Sequence, residues 1–328
     1  MNKFIMGIDG GGTKSHIAMF YPDGKCVGVA STGALNHELL PGAFVEMEEK
    51  VQAFILGALK DVGATVDDVE FMVQGQAGVD TAAQHVIVSK MLTDIGMNRF
   101  TLCNDSFLGV ATGCPDNIGL CAINGTGSTM AAIDHSGNTV QICGVGEISN
   151  DCGGSGWYGG KVMGAVYGAL FKCEQPTILT EMMWEILGIT RKEDHLDIIA
   201  AATEEQREAI NRLVFKAAEL GDAVALKILD ESAMHYVGGF KYLATDLDFP
   251  IDKTLYITYI GSVFVKEKVR ILPQLIAKYV AEALPGRKVE YINLEAPPVV
   301  GAVLWAANRA GYKIGMDDVK AGISAAGL

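Results

Sequence analysis

The feature that most constrains this chain is a short glycine-rich sequence that occurs twice. Residues 8–13 read IDGGGT and residues 123–128 read INGTGS. In both copies an apolar run enters the glycines, a second run leaves them, and a glycine-containing turn leads into a third run. Glycine-centred turns between β-rich runs are typical of hairpins. The repeat therefore predicts two domains, each of which opens with a three-stranded antiparallel meander.

The rest of each half alternates between helical and strand-like patterns. With 328 residues, of which 49% are hydrophobic, the chain is long enough to bury two cores. Helices are predicted over 43–61, 82–95, 105–112, 204–220, 223–242, 266–284 and 299–310, and strands over 70–73, 100–103, 254–260 and 289–292. The turn-rich segment 113–117 is a candidate domain boundary. We expect an α/β fold with two domains that face each other across a cleft, where ligands usually bind.

Composition restricts the classes of partner. The formal net charge is −13 and the pI is about 4.9, which disfavours binding to nucleic acid or to an anionic membrane. The seven cysteines form no C-x-x-C pair, so a reduced compartment is expected. The N-terminal sequence has no signal-peptide pattern, and the longest apolar stretches are too short to span a bilayer. We therefore expect a cytoplasmic protein without membrane contact.

The two glycine turns are candidate phosphate-binding loops. Successive N–H groups in the turn Gly10–Thr13 can form a concave anion site, to which Thr13 adds a hydroxyl and Lys14 a positive charge. Asp9, at the end of the preceding strand, could hold Mg²⁺ directly or through water. A single turn of this kind could equally be a plain hairpin. The related turn at Gly125, Thr126 and Gly127 makes a nucleotide clamp the better explanation, because such a clamp needs two loops.

Three further positions carry polar side chains where chemistry could occur. Asp105 follows a predicted strand and could accept the proton of an attacking hydroxyl, or it could only cap the helix that it precedes. Asp151 lies in a run of small residues that suits either a turn around a ligand or a flexible loop. Asn36 and His37 could bind hydroxyl groups, although a lone loop histidine is often merely solvated.

Together these motifs resemble the BadF/BadG/BcrA/BcrD ATPase family, and within it the N-acetylglucosamine kinases most of all. The resemblance runs along nearly the whole chain. The motifs that carry it are GIDGGGTK (7–14), LNH (35–37), GQAGVD (75–80), NDS (104–106), NGTGS (124–128), DCGGSG (151–156), YIGSVF (259–264) and PPVVGAV (297–303).

The resemblance implies a duplicated ribonuclease H-like fold, as in actin and hexokinase, with two domains around a nucleotide cleft. The N-terminal domain would span 1–115 and be joined by the last helix, about 312–328, and the C-terminal domain would span 116–311. It also implies ATP and Mg²⁺ as cofactors and a sugar as substrate, and it leaves a homodimer open.

The resemblance also assigns the site residues. Asp105 would be the catalytic base, and Asp9 would hold the metal ion. The nucleotide would contact Asp9, Gly11, Gly12, Thr13 and Thr126, with Ala218 and Gly261 beside the adenosine. Lys14, Gly125 and Gly127 are added to these contacts because they belong to the two glycine turns. The sugar would contact Asn36, His37, Asp80, Ser128, Thr129 and Asp151.

Two departures from the family pattern concern the sugar pocket. The Gly-Gly-Trp segment of the family kinases is replaced by Gly144-Val145-Gly146, and the usual GDEGS pattern becomes NDCGGS, one residue longer. The expected activity is ATP-dependent phosphorylation of a hexosamine, N-acetylglucosamine or glucosamine, with the first preferred.

Two other functions compete with this one. The first is a non-kinase ATPase, such as an activator of 2-hydroxyacyl-CoA dehydratase, in which Cys121 would bind an iron–sulfur cluster between subunits. The second is a sugar-sensing or structural protein that has kept the fold without the chemistry. The presence of Asp9, Asp105 and both glycine turns argues against the second.

Overall fold

In the computed structural model, each glycine-rich sequence forms a hairpin turn in the first part of its own five-stranded mixed sheet. The structure describes residues 3–265 and 270–328. The strands are β1 (Phe4–Gly10), β2 (Lys14–Phe20), β3 (Cys26–Gly33), β4 (Val69–Gln76), β5 (Phe100–Cys103), β6 (Gly119–Asn124), β7 (Ser128–Ile133), β8 (Thr139–Cys143), β9 (Leu255–Ile260) and β10 (Val289–Asn293).

The α-helices connect and cover these sheets. They are α1 (Ala43–Asp61), α2 (Ala82–Asp94), α3 (Ser106–Gly113), α4 (Ser155–Phe171), α5 (Leu179–Leu187), α6 (His195–Ala200), α7 (Glu204–Asn211), α8 (Leu213–Glu219), α9 (Ala223–Asp246), α10 (Ser262–Val265), α11 (Ile271–Ala283), α12 (Val299–Ala310) and α13 (Met316–Ala325). Within the described residues, no helix is long and apolar enough to cross a membrane.

The two sheets share one topology. The first has the strand order β3-β2-β1-β4-β5, and the second has the corresponding order β8-β7-β6-β9-β10. In each sheet the first three strands in sequence form an antiparallel meander, and the last two add in parallel. The duplication inferred from the glycine turns therefore extends to every strand of the two sheets.

Helices α3 and α12 lie between the sheets. Helix α12 packs tightly on β1: a Cβ built on Gly7 would lie 2.6 Å from the backbone nitrogen of Val303. Helix α3 contacts both α12 and strands of the second sheet. Helix α13 also returns to the first sheet, where Gly322 lies against Phe20. The domain limits expected from the resemblance assign residues 299–311 to the second domain, whereas helix α12 packs on the first sheet. The limits themselves stay a prediction.

Several predicted elements differ from the structure. The helix predicted over 204–220 is broken at Arg212 (φ −97°, ψ −10°), because α7 packs on α4 whereas α8 packs on α9. The helix predicted over 223–242 continues to Asp246. Residues 266–269 of another predicted helix lie outside the described residues, and α11 is described from Ile271. Helices α4, α5 and α6 were not predicted as elements, although the Gly153–Gly156 run does lead into α4.

Candidate active site

The buried side chain of Gln76 supports the first hairpin turn through hydrogen bonds. The Gln76 side-chain amide donates to the carbonyl oxygens of Gly10 (3.3 Å) and Leu35 (3.1 Å). A Cβ on Gly10 would lie 2.2 Å from Gln76 Oε1, so this close approach requires glycine. Beyond it, the N–H groups of Gly12 and Thr13 have no hydrogen-bond partner among the described residues. These two N–H groups are thus available to an anion.

The second turn is anchored by a buried polar network. Asn124, which corresponds to Asp9 in the repeat, is fully buried; its amide donates to Tyr158 Oη (2.9 Å) and its carbonyl oxygen accepts from Gly154 N (2.8 Å). Ser128 Oγ lies 2.9 Å from Tyr236 Oη. By contrast, a Cβ on Gly127 would meet no atom within 4 Å. The framework of this turn is therefore fixed, while its tip faces open space.

Both turns border one cavity of about 630 Å³. From the first half of the chain it is lined by Gly12, Thr13, Asn36, Glu38, Leu39, Ala77, Gly78, Asp80, Asn104 and Asp105, and from the second half by Ile123, Gly125, Thr126, Gly127, Ser128, Thr129, Gly144, Gly146, Glu147, Asp151, Gly153, Trp157, Gly261 and Ser262. A second cavity, of about 740 Å³, is lined by Asp9, Lys14 and His16 among others and shares Gly261 and Ser262 with the first.

Asp105 lines this cavity, and its carboxylate does not cap helix α3, which follows it. The cap of α3 comes from Asn104, whose side-chain oxygen accepts from the backbone nitrogen of Ser106 (2.9 Å), while Asp105 makes no capping hydrogen bond. Burial raises the pKa of the Asp105 carboxyl to about 8, and the negative charges of Asp9 and Asp80 add to this rise. Asp105 is thus a carboxylate of raised basicity beside the two glycine turns, a property that a general base requires.

Asp80 links the two halves of the cavity. It follows β4 of the first sheet and accepts hydrogen bonds from Asn104 Nδ2 (3.0 Å) and from Gln141 Nε2 of the second sheet (2.5 Å). Burial raises its pKa to about 6; the Gln141 hydrogen bond opposes this rise, and the charges of Glu38 and Asp151 favour it. Asp80 thus presents an oriented carboxylate to the cavity.

Asp151 and Asn36 border the same cavity from opposite sides. Asp151 Oδ2 accepts from the backbone nitrogens of Gly144 and Gly146, both at 2.9 Å, so the segment Gly144–Gly146 wraps around this carboxylate. Asn36 is 9% exposed, and its side-chain oxygen accepts from Glu38 N (3.0 Å). Both groups are therefore held in fixed orientations.

Asp9 suits a magnesium ion that is shared with phosphate. The residue is 9% exposed and lines the larger cavity, with His16 Nδ1 3.9 Å from its Oδ2 atom. Mg²⁺ in phosphate-transfer sites is usually held by one or two carboxylates, water and phosphate oxygens. One carboxylate beside the first turn fits that pattern. Lys14 lines the same cavity.

Three of the predicted site residues do not line either cavity. Gly11 donates its N–H to Ser15 Oγ (3.1 Å) within the hairpin. The ring of His37 stacks on Phe44 with a centroid distance of 3.8 Å. Ala218 is 3% exposed in the core beside α9, and neither set of lining residues includes it. For these three the structure provides no contact that favours the assigned roles, which stay predictions.

Other residues of the site were not assigned from the sequence. Gln141 and Asn104 orient Asp80, Tyr236 supports Ser128, and Trp157 and Glu147 line the cavity. The NDS motif contained Asn104, but only the structure shows that it caps α3 and contacts Asp80. Nothing local in the sequence indicates the role of Gln141 or Tyr236.

Known proteins resemble this chain along most of its length. The sequence profile of the BadF/BadG/BcrA/BcrD ATPase family matches residues 6–306. An N-acetylmuramic acid/N-acetylglucosamine kinase of Clostridium acetobutylicum is 26% identical over 307 residues, covering 93% of this chain and 98% of that protein. An N-acetyl-D-glucosamine kinase of Dictyostelium discoideum is 24% identical over 321 residues, with the same coverage of both chains.

A solved structure supports the fold. The crystal structure of a protein of Chromobacterium violaceum, described as a candidate N-acetylglucosamine kinase, matches with a TM-score of 0.68 and 19% identity. The match covers 92% of this chain and 98% of that chain. The predicted fold class, an α/β duplicated ribonuclease H-like fold of the actin-like ATPase type, is confirmed.

Proposed function

Because the chain belongs to the BadF/BadG/BcrA/BcrD ATPase family, we propose that it is an ATP-dependent kinase that phosphorylates an N-acetylated hexosamine. The observation that carries the proposal is the cavity in which Asp105 lies with both glycine turns and with the polar groups of Asn36, Asp80 and Asp151. A kinase needs these three elements together: a phosphate clamp, a base and an acceptor site.

The two turns would bind the triphosphate through backbone N–H groups. Gly12 and Thr13 of the first turn line the same cavity as the open tip of the second turn at Gly127. Asp9 would hold the Mg²⁺ ion, which neutralises negative charge on the transferred phosphoryl group when it is bound. Gly261, at the junction of the two cavities, is the candidate contact for the adenosine.

Asp105 would orient the attacking sugar hydroxyl and accept its proton. In phosphoryl transfer the protein contributes mainly position and charge stabilisation, so a fixed carboxylate next to the acceptor is the central catalytic group. Its raised pKa makes it a strong base, provided that it is ionised. Cationic groups bound nearby favour that ionised form.

The sugar class is inferred from the relatives. The Clostridium and Dictyostelium proteins are named for N-acetylglucosamine, and the former also for N-acetylmuramic acid. In this chain the sugar would meet Asn36, Asp80 and Asp151, with Ser128 and Thr129 beside the second turn. Because Gly144-Val145-Gly146 encloses Asp151 without the family's tryptophan, the preferred N-acetylhexosamine depends on this segment.

The alternative of an iron–sulfur activator has no support in the geometry. Cys121 is fully buried within β6 and packs with Val110 and Cys114, so its thiol cannot reach a cluster shared between two subunits. A cytoplasmic location and a homodimer stay predictions.

A coupled assay for ADP release tests the proposal. The purified chain with Mg²⁺ and ATP should turn over N-acetylglucosamine at least about tenfold more efficiently, by kcat/KM, than glucose or glucosamine. Mass spectrometry of the product should show one added phosphoryl group. ATP hydrolysis that is independent of every sugar tested would refute the proposal, and glucose as the best substrate would refute the sugar class.

A further inference from the structure

A group of side chains that could bind a metal ion lies at the sugar cavity and shares only Asp151 with the proposed acceptor site. Cys143 ends β8, Asp151 lies in the loop before α4, and His235 is on α9. One ligand atom from each lies within 4.8 Å of the other two. Among residues 3–265 and 270–328, no other group of three or more His, Cys, Asp or Glu side chains meets this spacing.

The three side chains converge on one point. Asp151 Oδ2 is held by the N–H groups of Gly144 and Gly146, which leaves Oδ1 buried and without a hydrogen-bond partner among the described residues. Cys143 Sγ lies 3.6 Å from His235 Nε2. The backbone of Cys143 is left-handed (φ +66°), and its thiol lies within 4.8 Å of the Asp151 carboxylate. The Cys143 thiol, the His235 imidazole and the Asp151 Oδ1 atom are therefore close enough to bind one ion.

These separations suit a small four-coordinate ion. Zn–S bonds of about 2.3 Å and Zn–N or Zn–O bonds of about 2.0–2.2 Å place tetrahedral ligand atoms about 3.3–3.8 Å apart. The Cys143–His235 distance is already in that range, and the other pairs need to close by about 1 Å at most. We propose that Cys143, Asp151 and His235 bind Zn²⁺ at the edge of the cavity that Asp151 and Gly144 line, with a water molecule as the fourth ligand.

Charge and ligand type favour this ion over the magnesium of the nucleotide site. A thiolate and a carboxylate neutralise the two positive charges of Zn²⁺, and the nearby carboxylates of Asp80 and Glu38 add to the attraction. Sulfur and imidazole ligands select zinc and copper, whereas Mg²⁺ requires oxygen ligands in octahedral geometry. Millimolar Mg²⁺ should therefore not occupy the site.

Occupancy would compete with the sugar, a consequence that rests on the proposed function. Asp151 lines the cavity, and a metal ion on its buried Oδ1 atom would occupy the carboxylate that the sugar is proposed to contact. Zn²⁺ should thus raise the KM for the sugar and leave kcat nearly unchanged, because saturating sugar displaces the ion.

Titration with Co²⁺ tests the site without reference to activity. Co²⁺ replaces Zn²⁺ in such sites and shows a thiolate charge-transfer band together with the visible bands of tetrahedral geometry. The parent protein, with Mg²⁺ present, should show both, and Zn²⁺ should abolish them. Cys143→Ser and His235→Ala should weaken Co²⁺ binding at least about tenfold. The loss of a residue that only supports a metal ligand already lowers metal affinity by about tenfold or more. Cys173→Ser removes an exposed thiol and should bind as the parent does.

The outcomes separate the two proposals. An unchanged Co²⁺ spectrum in Cys143→Ser and His235→Ala, both checked for native circular dichroism, would overturn the metal site. A lost spectrum combined with Zn²⁺ inhibition that sugar does not relieve would overturn the competition. If no sugar is phosphorylated, the proposed function fails, while the Co²⁺ titration still decides whether the triad binds metal.

Discussion

Asp105→Asn should reduce catalysis and stabilise the protein at the same time. The folded protein raises the pKa of this carboxyl from 3.8 to about 8, chiefly by burial and also through the charges of Asp9 and Asp80. Asn has nearly the same shape but cannot be ionised, so it removes the cost of holding a charge in this place. It also cannot accept the proton of the sugar hydroxyl.

The sign of the stability effect follows from proton linkage. Because the folded state binds this proton more tightly than the unfolded state, the contribution of Asp105 to stability falls as pH rises from about 4 to about 8. Each pKa unit corresponds to about 1.4 kcal/mol, which sets a ceiling of roughly 4 kcal/mol at neutral pH. Asp105 borders an open cavity that water enters, so we expect a gain of about 1–3 kcal/mol for Asp105→Asn.

Two measurements test this. Urea unfolding at about pH 5.5 and about pH 8.5 should show the stability advantage of Asp105→Asn growing with pH. The kcat should fall by about 10²–10⁴-fold with little change in nucleotide affinity, and kcat/KM of the parent should rise with pH and level off above about 8. Asp116→Asn, in an exposed turn, is the matched control and should change neither property.

Separate outcomes would refute the two parts of this reasoning. A kcat of Asp105→Asn within a few-fold of the parent would show that Asp105 is not the base. A stability difference that does not depend on pH would show that burial does not raise the pKa of the Asp105 carboxyl.

Three further predictions concern the turns and the acceptor site. Gly127→Val should fold normally, since its side chain meets open space, yet lose ATP affinity by at least about tenfold; calorimetry should show no such loss for Gly164→Val, at an exposed helical position. Tyr236→Phe should lower the free energy of unfolding by about 1–2 kcal/mol and reduce kcat/KM, because Ser128 loses its buried partner; unchanged urea midpoint and kinetics would count against it. Asp80→Asn should raise the KM for the sugar more than it lowers kcat, and steady-state kinetics showing the reverse would reject its role as an acceptor.

Much of the fold was predictable because local patterns determine it. The apolar spacing of residues 43–61 and 299–310 gave the bounds of α1 and α12, and the strand at 100–103 was also correct. The helix over 204–220 was predicted as continuous because no Gly or Pro interrupts it. Its break at Arg212 arises from packing on two different partners, which periodicity does not show.

The candidate site was predictable only where residues follow one another in a motif. The turn at Gly125–Ser128 and the carboxylate of Asp105 could be proposed from short sequences. Whether Asp105 or Asn104 caps α3 could not be decided, because both residue types are good caps. The structure assigns the cap to Asn104 and leaves Asp105 to the cavity.

The duplication, the two hairpin turns and the family follow from the amino-acid sequence alone, since each depends on residues that are neighbours in the chain. Only the tertiary structure joined Gln141 to Asp80 and brought Cys143, Asp151 and His235 within 4.8 Å of one another. Gln141 lies 61 residues from Asp80, and His235 lies 92 residues from Cys143, although Cys143 and Asp151 are close in sequence. Their proximity depends on how α9 packs on the second sheet and on how the two sheets face each other, and no spacing along the chain specifies either arrangement.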